Sequence, residues 1–142
     1  MQNTLEITGH SLTLQQVRQV AENPRIGVCL SDASRTAVTA SRKVIEGILA
    51  SGKTVYGVNT GFGSLSHVTI PQDQIDQLQL NLIRSHACGT GEPIDSATVR
   101  AMMLLRANTL AKGYSGVRPE VIEKLLALLN AEIYPVIPSQ GS

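Results

Sequence analysis

Apolar positions recur along this chain at two spacings, and these mark most of its elements. "LEIT" (Leu5–Thr8) alternates apolar and polar residues and predicts a short strand. "TLQQVRQVAEN" has the helical spacing. Thr13 with Gln16 three residues on is a capping-box pattern, and Pro24 stops the run. "IGVCL" (Ile26–Leu30) predicts a second short strand. A long helix comes next, capped by Ser31 or Asp32. Its stripe is Val38, Ser41, Ile45, Ile48 and Leu49, and Gly52 ends it. "TVYGVNTGFGSLS" reads as extended chain and then loop. Pro71 opens another helix, whose stripe Ile75–Leu78–Leu82 continues to His86, with Gly89 beyond its end. Asp95 caps "SATVRAMMLLRANTLAK", closed by Gly113. Pro119 takes a first-turn position, and "EVIEKLLALLNAEIY" is expected to run to Pro135.

The pattern therefore predicts five helices and two or three short strands, a mainly α chain with no repeat and no low-complexity tract. "YPVIPSQGS" reads as a loop with no closing element. The last two helices carry apolar residues on most faces, so they call for neighbours on several sides. A partner chain or more of the same polypeptide would supply them.

Composition narrows the chemistry. The 142 residues suit one domain or part of one. With no tryptophan, one phenylalanine and three tyrosines, any core is built from aliphatic residues and methionine. A formal net charge of +1 gives no electrostatic reason to expect nucleic acid or an anionic membrane as partner. Cys29 and Cys88 make neither a disulfide framework nor a metal motif, and His10, His67 and His86 lack ligand spacing, so no metal is expected. The start has no signal-peptide pattern, and no apolar run approaches the ~18–20 residues of a membrane span. A cytoplasmic location is the expectation.

Two glycine motifs suggest phosphate binding and fail on context. "GILASGKT", Gly47 to Thr54, fits the phosphate-loop pattern, but that loop needs a strand before it and a helix starting at Lys-Thr. Here the first glycine lies inside a helical pattern. "GFG" would need a third glycine where Ser66 stands.

Two residues remain as candidates. Tyr56 adjoins a glycine-rich loop, and a tyrosine there can enter a pocket as the loop closes and excludes water. Tyrosine is a weak acid, with a reference pKa of ~10, and becomes a base near neutral pH only where phenolate is stabilised. Packing on a strand is the plainer role for it. His86 continues an apolar stripe into the small residues of "SHACGTG", so it is either a pocket wall or a core histidine bonded to a carbonyl.

"VYGVNTGFG", "NLIRSHACGTGEP" and the stretch from "RAMMLLRANTLAKGYSGVRPE" to "YPVIPSQGS", in this order and spacing, resemble the aromatic amino-acid lyases, most of all those that act on histidine. The resemblance is weak before about Ser31 and strong from Val55 on. It implies a mainly helical fold assembled as a homotetramer. Family members are several times longer, and continue past P-x-x-G-S into an Ala-Ser-Gly triplet. That triplet cyclises into a methylidene-imidazolone (MIO), the electrophilic prosthetic group. Residues 1–142 therefore look like the amino-terminal part of such an enzyme, with the triplet beyond Ser142. Carried over position by position, Tyr56 matches the catalytic tyrosine on a closing loop, Gly63 a glycine near the prosthetic group, and His86 a residue of the pocket for the substrate ring. Asn59 and Phe62 shape the loop. The Ser85–His86 pair argues against phenylalanine more strongly than it separates histidine from tyrosine, because an imidazole pairs poorly with a plain phenyl ring. The implied reaction is deamination of L-histidine to urocanate and ammonia. A tyrosine lyase or an aminomutase on the same scaffold, or a non-catalytic helical module, are the alternatives.

Overall fold

The computed structural model describes residues 4–60, 70 and 74–141. Its first unit is a strand–helix–strand crossover. β1 (Thr4–Ile7) and β2 (Gly27–Leu30) pair in parallel, with Leu5 opposite Val28 and Ile7 opposite Leu30, and α1 (Leu14–Glu22) carries the chain between them. Parallel strands need such a connection. α1 starts where the sequence indicates: Thr13 Oγ1 accepts from the Gln16 amide at 3.2 Å, and Gln16 Oε1 accepts from the Thr13 amide at 2.9 Å. α2 (Asp32–Ser51) is capped by Ser31, whose hydroxyl accepts from the Ser34 amide, and ends at Gly52 in the left-handed region. Gly47 is thus inside a helix and Lys53–Thr54 lie past its end, so "GILASGKT" is not a phosphate loop.

α4 (Ser96–Leu110) and α5 (Pro119–Asn130) pack on this unit. Val99, Met103, Leu104 and Ala107 on α4 meet Ile122, Leu126 and Leu129 on α5, together with Val20, Val28 and Ile7. Leu104 and Ile122 are fully buried. The other faces stay open, with Met102 43% and Leu105 47% exposed, in keeping with helices apolar on several sides.

Arg100 sits inside this core, 3% exposed, and has no carboxylate partner among the described residues. Its guanidinium donates to the carbonyls of Val20 (2.9 Å) and Leu129 (3.2 Å) and to the Tyr134 hydroxyl (2.5 Å). Val20 and Leu129 lie in the last turns of α1 and α5, where carbonyls lack intrahelical partners and the helix dipole favours a cation. One side chain thereby closes two helix ends. Asn130 does similar work for β2: its amide accepts from Val28 N and donates to Val28 O, both at 2.9 Å, covering the strand's open edge.

Two expectations need correction. α5 stops at Asn130, short of Pro135. The Ile133 amide donates to Leu128 O and the Glu132 amide to Leu129 O, the paired bonds of a Schellman ending. Glu132 holds the left-handed position at φ 57°, where a glycine would have signalled the stop. Second, "YPVIPSQGS" does contain a closing element. β4 (Pro138–Gln140) pairs antiparallel with β3 (Thr90–Pro93). Glycine and proline in both segments hid that ribbon, because neither favours a strand. With α3 (Ile75–His86), the described residues hold five helices and four short strands. No described helix is long and apolar enough to cross a membrane.

Candidate functional site

Tyr56 lies on a turn, not on extended chain. The amides of Val58 and Asn59 both donate to the Val55 carbonyl, at 3.1 and 3.3 Å. Asn59 makes the turn. Its side chain is 8% exposed, accepts from the Val55 amide at 2.9 Å and donates to the Lys53 carbonyl at 2.9 Å. These local bonds give the backbone an alternative to a strand ladder, the usual competition between asparagine and sheet. The Asn59 carbonyl accepts from the Ile70 amide at 3.1 Å, which fixes where the chain returns after 61–69. Thr60 is 2% exposed beside it. On this buried base the Tyr56 side chain is 64% exposed. Gly63 and Phe62 lie outside the described residues, as does His67. The expectation that Asn59 shapes this loop holds.

His86 ends α3. Its Nδ1 lies 2.8 Å from the Leu82 carbonyl and 3.0 Å from Ser85 Oγ, and Ser85 Oγ donates to the same carbonyl at 3.0 Å. The apolar stripe does not bury it: Leu78 and Leu82 are half-buried and His86 is exposed. His86 instead forms one wall of a cleft of about 460 Å³, shared with Gly89 and residues 137–141.

The β3–β4 ribbon shapes that cleft by close backbone approach. A Cβ on Gly141 (φ 81°) would lie 2.3 Å from the Cys88 carbonyl oxygen. One on Gly89 would lie 2.8 Å from the Pro138 ring. The Cys88 thiol also donates to Gly141 O at 3.4 Å. Cys88 and Gly89, just past the end of α3, thus lie against Gly141 and Pro138 with no room for a Cβ at either glycine. Sequence reasoning missed Gly141 as part of this site, because the spacing within "SHACGTG" and "PSQGS" carries no sign that the two stretches meet.

Tyr56 is not among the residues lining the His86 cleft. His10 is an exposed loop residue. A larger cleft, about 810 Å³, runs between α4 and α5 past Arg106, Leu110 and Lys124, and touches neither candidate. Among the described residues, no three His, Cys, Asp or Glu side chains cluster as metal ligands would.

A sequence profile for aromatic amino acid lyases matches residues 12–142. The chain belongs to the aromatic amino acid lyase family. Among curated members, the histidine ammonia-lyase of Geobacillus thermodenitrificans (strain NG80-2) is 55% identical over 136 residues, covering 96% of this chain and 27% of its own length. In solved members, the histidine ammonia-lyase from Trypanosoma cruzi superposes with a TM-score of 0.90 at 40% identity, over 98% of this chain and 26% of that one. The tyrosine aminomutase from Streptomyces globisporus gives 0.90 at 39%, over the same shares. The chain spans about 27% of the length of the curated lyase it matches. The mainly helical class with a few short strands is that of these lyases.

Proposed function

We propose that residues 1–142 are the amino-terminal part of a histidine ammonia-lyase, which converts L-histidine to urocanate and ammonia. The observation that carries this is the 55% identity to a curated histidine ammonia-lyase over 96% of the chain. The reaction removes a proton from the β-carbon and the amino group from the α-carbon, leaving a double bond. Tyr56 is the base for that proton, His86 meets the substrate ring, and Gly63 takes the place of the family's glycine near the prosthetic group, on the substrate side. The proton is weakly acidic, so its loss has to be coupled to departure of the amine.

The prosthetic group assigned to the family, an MIO formed from an Ala-Ser-Gly triplet, lies outside this chain. It would supply the electrophile against which the amine leaves. The residues here suit a neighbour of that kind in one respect: the stretch ending in Gly141 is seated against Cys88 with no room for a Cβ, next to His86. A rigid seat of this sort fixes the direction of the backbone leaving Gly141 relative to the ring-binding histidine. A homotetramer in the cytoplasm completes the reading, with neighbouring subunits and the rest of the polypeptide covering the apolar faces of α4 and α5.

The similarity to a tyrosine aminomutase supports a second reading, in which tyrosine is the substrate and the amine is returned to the β-carbon. Product analysis on the complete protein decides. L-Histidine, L-tyrosine and L-phenylalanine are supplied separately, and products are resolved chromatographically. Urocanate with equimolar ammonia from histidine, and little product from the others, is expected. A β-amino acid from tyrosine, without urocanate from histidine, would replace the first reading with the second.

A further inference from the structure

The cleft between α4 and α5, which holds neither candidate residue, has a chemistry of its own. Its floor is apolar. Val121, Leu125 and Leu128 follow one another at steps of four and three along α5, and Leu110 of α4 completes it. Val121 is 42% exposed, and the three leucines are half-buried. Arg106, Arg118 and Lys124 line the same cleft, all exposed, against one acid, Glu120. None of these four side chains has an ion-pair or hydrogen-bond partner among the described residues, whereas Arg18, Arg35 and Arg42 each have a carboxylate. A chain with 12 basic and 11 acidic residues therefore leaves three free cations along one apolar groove. Arg118 is also the N-cap of α5, so the positive end of that helix adds to its charge. Such a groove favours an occupant that is apolar on one side and negative at its margins.

We propose that this groove seats an amphipathic helix of the same polypeptide, from beyond residue 142, whose apolar stripe covers the floor and whose Asp or Glu side chains pair with Arg106, Arg118 and Lys124. This rests on the reading that residues 1–142 begin a longer chain, of which they span about 27% in the curated lyase. It goes further by naming one seat, one source and the charge of what fills it. Two packed helices with side chains at three- and four-residue steps leave a groove that takes the ridge of a third helix. The mainly helical class of these lyases supplies such elements. The occupant has to bring carboxylates, because covering the groove takes cations out of water, and a buried cation without a partner is costly.

The test is zero-length crosslinking of the complete protein with a carbodiimide, which joins a lysine amine to a carboxylate in direct contact. Denaturing electrophoresis separates single chains from crosslinked pairs, and peptides from each band are sequenced by mass spectrometry. A link from Lys124 to an Asp or Glu beyond residue 142, in the single-chain band, is expected. In parallel, the acylation rate of Lys124 by a succinimidyl ester is compared between native and denatured protein. The expected slowing in the native protein is about tenfold or more, tenfold corresponding to a closed groove favoured by about 1.4 kcal/mol. Arg118→Glu sets a like charge against the occupant's carboxylates and should speed Lys124 acylation severalfold, while Arg118→Lys should not. Equal reactivity of Lys124 in native and denatured protein would overturn the proposal, as would a link to Glu120 alone. A Lys124 link found only in the two-chain band would give the groove to a second copy, and a small carboxylate coupled to Lys124 would give it to a free anion; either overturns it. Protection of Lys124 without a link to any Asp or Glu would assign an uncharged occupant and overturn it as well. A complete protein that forms no urocanate would fail the proposed function, and the crosslink would still decide this groove.

Discussion

Two regions of the molecule are built on opposite principles. Around α1, α4, α5 and the β1–β2 pair, the chain closes on itself: aliphatic side chains are fully buried and the described buried polar groups are paired. Around Tyr56 and His86, the described side chains are mostly exposed, and the backbone is held by the Asn59 amide, the Ser85–Leu82–His86 bonds and glycine contacts in the ribbon. The first region derives its stability from area removed from water. The second derives its geometry from a few directional bonds, and leaves its chemical groups uncovered. A fixed scaffold carrying its reactive side chains on loops and element ends is a common division of labour, because a site must stay accessible to its ligand.

Substitutions sharpen the contrast. Arg100→Met should have the largest effect on global stability, because it strands the Val20 carbonyl in the core and removes a partner from the Leu129 carbonyl and from the half-buried Tyr134 hydroxyl. At roughly 1–3 kcal/mol for the unsatisfied carbonyl and about 1 kcal/mol for the other lost bonds, a loss of about 2–4 kcal/mol is expected in denaturant unfolding. A stability within about 1 kcal/mol of the wild type, by the same linear extrapolation, would show that water replaces the guanidinium and that the closure is looser than described.

Gly141→Ala should act on the other region. Its Cβ would meet the Cys88 carbonyl at 2.3 Å, at a φ that other residues adopt at a cost of about 1–2 kcal/mol. Loss of amide-exchange protection across Thr90–Pro93 and Pro138–Gln140 is expected, with α1, α4 and α5 unaffected. Spread of the effect into α4 would mean that the two regions are one cooperative unit.

A smaller effect is expected at the start of α4. Bonds from the Thr98 hydroxyl and amide hold the Asp95 carboxyl below its ordinary value. A carboxyl with a lower pKa in the folded than in the unfolded chain stabilises the fold above its unfolded value, about 3.9, and that contribution fades as pH falls through the folded value. Asp95→Asn should therefore be less stable than the wild type near neutrality, and the gap should close in acid. A gap independent of pH would assign the cap to geometry alone. The smallest change should be a gain. Glu132→Gly relieves the left-handed residue that ends α5, for an expected increase of about 0.5–1 kcal/mol after the entropy that glycine costs in the unfolded chain.

The self-closing region was largely legible in the sequence. Thr13 and Gln16 announced α1, Ser31 and Gly52 bounded α2, and Asp95 capped α4, each through a bond between near neighbours. What could not be read depended on groups distant in sequence. Arg100 meets Leu129 across 29 positions, Asn130 meets Val28 across 102, and Gly141 closes on Cys88 across 53. The Tyr56 segment was misread for a different reason. "VYGVN" has the β-branched and aromatic residues of a strand, and the Asn59 side chain overrides them by folding back to bond the backbone of Lys53 and Val55, just ahead of the turn. Tyr56 and His86 themselves became candidates through the resemblance of their surroundings to the lyases. Their exposure in this chain gives no independent sign of chemistry.

The central claim is that Tyr56 moves the proton in histidine deamination. The most direct test is the initial rate of urocanate formation by the complete protein, for the wild type and for Tyr56→Phe, with circular dichroism and oligomer size compared in parallel. A fall of several orders of magnitude with unchanged fold and assembly is expected, because the phenyl ring keeps the shape and lacks the acid–base group. A near-normal rate in Tyr56→Phe would contradict the assignment and require the base to be sought elsewhere in the assembled enzyme.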